Sequence, residues 1–158
     1  MTGTVLLLAF LIGFFAGLRA MTAPAVTAWA VYLGWLRLER PLSFIGSVPS
    51  VIILTLFAVL ELVVDKLPGT GKRTAAPGLI GRVLTGGLAG ACVAAGGSQA
   101  ALPGAALGVL GGVVGAFVGL EMRLRVVKVL GIRDVYVALV EDVVAVAGCL
   151  WIVSFVGP

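Results

Sequence analysis

A chain of 158 residues that is 61% hydrophobic and 11% charged is too apolar for a soluble domain, which at this size leaves about a third of its surface in water. A mean hydropathy of +1.21 points to lipid as the solvent, and 23 glycines suit closely packed membrane helices. The net charge of +4 does not signal nucleic acid, because the basic residues sit in short connections between apolar runs rather than on a soluble basic domain.

The first apolar run, Thr4–Leu18, follows MTGT, which has no positive side chain, and continues directly into GFFAGLRAMTAPAV. It is expected to be a helix of the mature protein rather than a cleavable signal. Between Arg19 and Arg37 lies AMTAPAVTAWAVYLGWL, where Thr22 is expected as an N-cap and Pro24 in the first turn. Ala23–Leu36 would be ~21 Å long as a helix, short of the ~30 Å of bilayer hydrocarbon. Three placements are open for it: a short sixth span, a re-entrant half-helix, or an interfacial helix anchored by Trp29, Tyr32 and Trp35, with membrane insertion preferred. Phe44–Val64, Leu79–Ala95, Pro103–Leu120 and Val135–Val156 complete the apolar runs. The expected fold is therefore all-α: one polytopic membrane bundle over 1–158, with five long helices and one short one.

Charge sets the expected orientation. The connection Lys66–Arg82 carries four basic residues and Arg123–Arg133 another four, whereas Gly96–Leu102 carries none. Both basic loops are expected in the cytoplasm, touching anionic lipid headgroups, with the intervening loop and the C-terminus external. GFFAGLRAM at 13–21 echoes GAFVGLEMR at 115–123, a candidate weak internal repeat of the kind found in transporters. Gly104, Gly108, Gly111, Gly115 and Gly119 form a glycine-zipper stripe, with GxxxG pairs at Gly13–Gly17 and Gly86–Gly90. Packing within one chain is the preferred reading of these stripes over a dimer seam.

The residues able to carry chemistry are acids inside apolar runs. Glu61 and Asp65 are four apart, on one helical face. Glu141 and Asp142 are adjacent, so they point ~100° apart and lie ~10 Å into the last run, too deep for a terminal cap. An ionisable group at membrane depth costs at least ~2.5 kcal/mol, so such residues face a bundle interior or a watery cavity. At least one of this pair is expected to meet a buried base, and Arg19, Arg82 and Arg123 are the candidate partners. The segment LPGTGKRTAAPG fails the phosphate-loop pattern, since Lys66 stands where its first glycine belongs. Thr22, Thr27, Ser50 and Thr55 are expected to bond to helix backbone. Without histidine, and with Cys92 and Cys149 in apolar segments, no metal, cofactor or enzymatic activity is expected.

GLRAMTAPAVTAWAVYLGWL, ELVVDKLPGTGKRTAAPGLIGRVLTGGLAGA and VALVEDVVAVAG together resemble a bacterial membrane family, the domain-of-unknown-function family numbered 4126. The resemblance covers essentially the whole chain; a proline usual in the family is Gly71 here, a departure in a loop. It implies an integral membrane protein and places Arg19, Glu61, Asp65, Lys66, Arg73, Arg82, Glu141 and Asp142 on motif positions. It brings no established activity. Two classes of function follow from the residues. One is a small inner-membrane transporter or channel, cation or proton linked, and homo-oligomeric given its size. The other is a non-transporting protein, binding lipid or an assembly partner, whose ion pairs hold the bundle together.

Overall fold

The computed structural model describes residues 2–65 and 76–157, so Lys66, Lys72 and Arg73 of the expected basic loop lie outside the described residues. Six α-helices follow in order: α1 (Thr2–Leu18), α2 (Thr22–Tyr32), α3 (Val48–Val64), α4 (Ala76–Gly96), α5 (Ala101–Leu130) and α6 (Asp134–Val156). A short 3-10 turn, Leu42–Gly46, leads into α3, which Ser47 caps by accepting from the N–H of Ser50. No strand occurs among the described residues. The all-α expectation holds.

Three boundaries differ from those expected. The stretch Arg123–Arg133 is mostly helix: α5 runs on to Leu130, and Gly131 in the left-handed region (φ 62°) stops it. Arginine, lysine and leucine are good helix formers, and Lys128 in the last turn complements the helix dipole. Arg82 likewise is not in a loop, because α4 begins at Ala76 with Pro77 in its first turn. Thr22 is not an N-cap: that position falls on Met21, without a side-chain cap.

The centre of the bundle is built from α1, α4 and α5, and its seam is glycine. A Cβ added at Gly108 would strike the carbonyl oxygen of Gly86, and one at Gly13 would strike that of Gly108. Gly111 and Gly115 meet the backbone of Phe10 and Phe14 in the same way. Close backbone approach is what these positions provide, and it occurs within one chain. Around this seam, Ile12, Ala23, Val93, Ile152 and Val153 pack into a core that α2 and α6 complete. The outer faces are apolar: α3 buries only Val51 and exposes Leu56, Phe57 and Leu60, and α6 exposes Val140, Val143 and Trp151. By length and composition α4, α5 and α6 are each able to cross a bilayer, and α1 and α3 are shorter apolar helices. This fits a membrane bundle.

The helices alternate in direction between two ends. Leu36 packs on Gly96, Gly97 on Val5, and Gly157 on the Trp35 carbonyl, so the chain beyond α2 returns to the end where α1 starts. Thr22, Ala23, Pro24, Thr27 and Ala28 of α2 are buried, which puts this short helix inside the bundle rather than on its surface. The opposite end collects the α1–α2 corner, the end of α3, the starts of α4 and α6, and the end of α5. Six described basic residues sit toward this end (Arg19, Arg82, Arg123, Arg125, Lys128 and Arg133) against Arg37 and Arg40 at the other.

The α1–α2 hairpin stops short of its neighbours. Leu18 lies level with Gly119, yet α5 continues to Leu130, ~16 Å further at ~1.5 Å per residue. Arg19 lies level with Asp142, and α6 begins at Asp134, ~12 Å below it on the same rise. The hairpin tip is thus recessed into the bundle. The segments 13–21 and 115–123 run parallel and in contact, with Gly17 against the backbone of Gly115 and Ala116.

Candidate functional site

At the tip, the ladder of α1 ends and that of α2 begins, so polar backbone groups are freed inside the bundle. Side chains from two other helices satisfy them. Glu61, one turn before the end of α3, accepts from the backbone N–H groups of Ala20 and Met21, both at 2.8 Å. Arg82 of α4 donates from Nε to the Gly17 carbonyl at 2.9 Å and from a terminal nitrogen to Gly78 at 3.0 Å. A carboxylate therefore sits at the positive start of α2 and a guanidinium at the negative end of α1, each matched to its helix dipole. The two groups stand 4.0 Å apart. Glu61 does from another helix what Thr22 was expected to do locally. The Thr22 hydroxyl is buried and makes no hydrogen bond among the described residues.

Arg19 is fully buried, at 0% exposure. Its guanidinium pairs with Asp65, the residue that caps the end of α3, and with Asp142 of α6 at 2.5 Å. One cation thus links α1, α3 and α6. Glu141, next in sequence to Asp142, turns the other way, as the ~100° helical step requires. It lies beside Gly119 and pairs at 3.7 Å with Arg123, which also forms a forked pair with Asp134 at 2.6 and 2.5 Å.

The structure sorts the expected site residues into two adjoining groups. Arg19, Glu61, Asp65, Arg82 and Asp142 surround the hairpin tip; Arg123 and Glu141 join α5 to α6. Asp134 was missed, although it stands seven residues before Glu141 and so on the same helical face. The amides of Ala20 and Met21 were also missed, and no residue-type signal marks them. Among the described residues the two groups bring together three guanidinium groups (Arg19, Arg82, Arg123) and five carboxylates (Glu61, Asp65, Asp134, Glu141, Asp142). No cluster of three or more potential metal ligands occurs among the described residues.

Thr27 and Thr55 bond back to their own helices at Ala23 and Val51, as expected, whereas the Ser50 hydroxyl reaches out of α3 to the Phe44 carbonyl. Cys92 and Cys149 are free and buried.

No curated protein and no solved structure matches the chain. A family model described as a domain of unknown function, DUF4126, matches residues 6–156, which is nearly the whole chain, with every residue of both charged groups inside it. The chain therefore belongs to the DUF4126 family.

Proposed function

We propose that the protein is a small, non-enzymatic transport protein of the bacterial inner membrane, crossing it several times and moving a proton or cation past the hairpin tip. The observation that carries this reading is Arg19, a buried cation held between acids of two different helices at a break between two others. Ionisable residues are expensive at membrane depth, and chains of acids there commonly relay protons. Release of Arg19 from Asp142 would loosen α6 from the tip, giving the site two arrangements that a passing solute could bias. Its small size favours function as a homo-oligomer.

The test is proton and cation flux in proteoliposomes, comparing wild type with Asp142→Asn and Glu141→Gln at matched incorporation. Asp142→Asn is expected to abolish flux while the protein stays inserted, and Glu141→Gln to reduce it. Equal flux in wild type and Asp142→Asn would refute the reading.

A second reading is favoured by the completeness of the pairing, since each acid at the tip is held by an arginine or by backbone N–H. The cluster would then only fix helix register in a protein that does not transport. In that case no flux occurs, and each neutralising change lowers thermal stability.

A further inference from the structure

Below the recessed tip, α5 and α6 diverge around a groove of about 590 Å³. Phe14 and Leu18 roof it, and Met122, Val126, Val140 and Val144 wall it. It runs from Val144 down ten residues of α6 to the helix start at Asp134, ~15 Å, and on to Ile132, matching the ~15 Å that one leaflet contributes to the hydrocarbon of a bilayer. Its volume is in the range of cavities that hold one ligand. Two polar side chains stand in its otherwise apolar wall, Arg123 and Glu141, and these are already paired with each other.

The lower mouth is different. Arg133 precedes α6, and the lining residues Tyr136, Val137, Val140 and Val144 follow it by three, four, seven and eleven positions. It therefore sits at the start of α6, next in sequence to the lining residue Ile132 and one turn before Tyr136, at the lower mouth of the groove. Arg133 is exposed and has no ion-pair partner among the described residues. Tyr136, also exposed, sits one turn inside, where an aromatic ring suits the boundary between headgroup and hydrocarbon. An apolar slot one leaflet deep with a cation at its aqueous mouth complements an amphiphile with an apolar tail and an anionic head.

We propose that the α5–α6 groove binds one anionic phospholipid of the cytoplasmic leaflet, with an acyl chain along Val140 and Val144 and the phosphate against Arg133. The proposal needs the membrane placement of the bundle but not transport. A lipid seated here lies against the Arg123–Glu141 pair, so occupancy and the geometry of that pair are linked through shared packing.

The test is native mass spectrometry from mild detergent with phosphatidylglycerol or phosphatidylcholine added, scoring the bound lipid. Wild type is expected to retain one phosphatidylglycerol in preference to phosphatidylcholine. Arg133→Gln should weaken retention about fivefold, from ~1 kcal/mol per basic residue at a membrane surface. Lys128→Gln removes the same charge, but its position is two residues from Val126 and from Leu130 and so on the far face of α5; it should change nothing. Val140→Trp fills the groove from an exposed position and should displace the lipid without loosening the core. Equal loss in Arg133→Gln and Lys128→Gln would overturn the proposal in favour of diffuse attraction. Equal retention of the two lipids, or an undisturbed lipid in Val140→Trp, would also overturn it. A dimer of the wild type that Val140→Trp abolishes would assign the groove to a second copy of the chain and overturn it likewise.

Discussion

Replacing Arg19 with glutamine removes a cation shared by Asp65 and Asp142, whose side chains are only 18% and 12% exposed. Removing one member of a buried pair strands the other and costs about 3–5 kcal/mol. For a chain of this length each kcal/mol moves the melting midpoint by about 2–4 °C, so the expected fall is about 6–20 °C. The protein carries its own reporters: Cys92 and Cys149 are buried and free, so a thiol-reactive fluorophore in detergent lights up only on unfolding. Adding Asp142→Asn to Arg19→Gln takes away one stranded charge and should recover at least half of the loss. That sign reversal separates a paired arginine from one that merely packs. A fall under about 2 °C, the scale of an exposed ion pair, would show that Arg19 is solvated and would refute the reasoning. So would a double variant less stable than the single one.

The glycine seam predicts opposite signs at two positions. Gly108→Ala drives a methyl into the Gly86 carbonyl and should lower stability by about 1–3 kcal/mol, whereas Gly81→Ala meets open space and should gain up to about 1 kcal/mol, both read by the same thiol assay. Orientation is checked by labelling with a membrane-impermeant maleimide in a background of Cys92→Ala and Cys149→Ala. Ser98→Cys should label in intact cells and Lys128→Cys only after permeabilisation; the reverse would invert the orientation drawn from the basic residues.

The elements were legible where apolar period and breakers agree, as in the last run, expected from Val135 to Val156 and observed from Asp134 to Val156. The extra turns of α5 resemble a loop in sequence because their charge suggests an aqueous connection. Yet VVKVL contains no breaker, and Gly131 marks the true end. At the site, spacing revealed that Glu141 and Asp142 face different ways and that Glu61 and Asp65 share a face. It could not reveal which arginine each acid meets, because that depends on the order of helices around the seam. The capping role of Glu61 lies forty residues from the amides it serves, beyond the reach of any local motif. Lys66, a motif residue adjoining Asp65, falls outside the described residues.

The unequal helices have a mechanical consequence for the surrounding membrane. Along α3, which buries only Val51, the apolar helix is 17 residues or ~26 Å long, whereas α6 has 23 residues or ~35 Å. Against ~30 Å of hydrocarbon, the first is too short and the second too long. A bilayer accommodates such a belt by thinning beside α3 and by letting α6 tilt or thickening beside it, at fractions of a kcal/mol per Å. In a bilayer such a protein would act as a wedge in thickness, favouring neighbours, or regions of membrane, whose hydrophobic depth changes in the same sense.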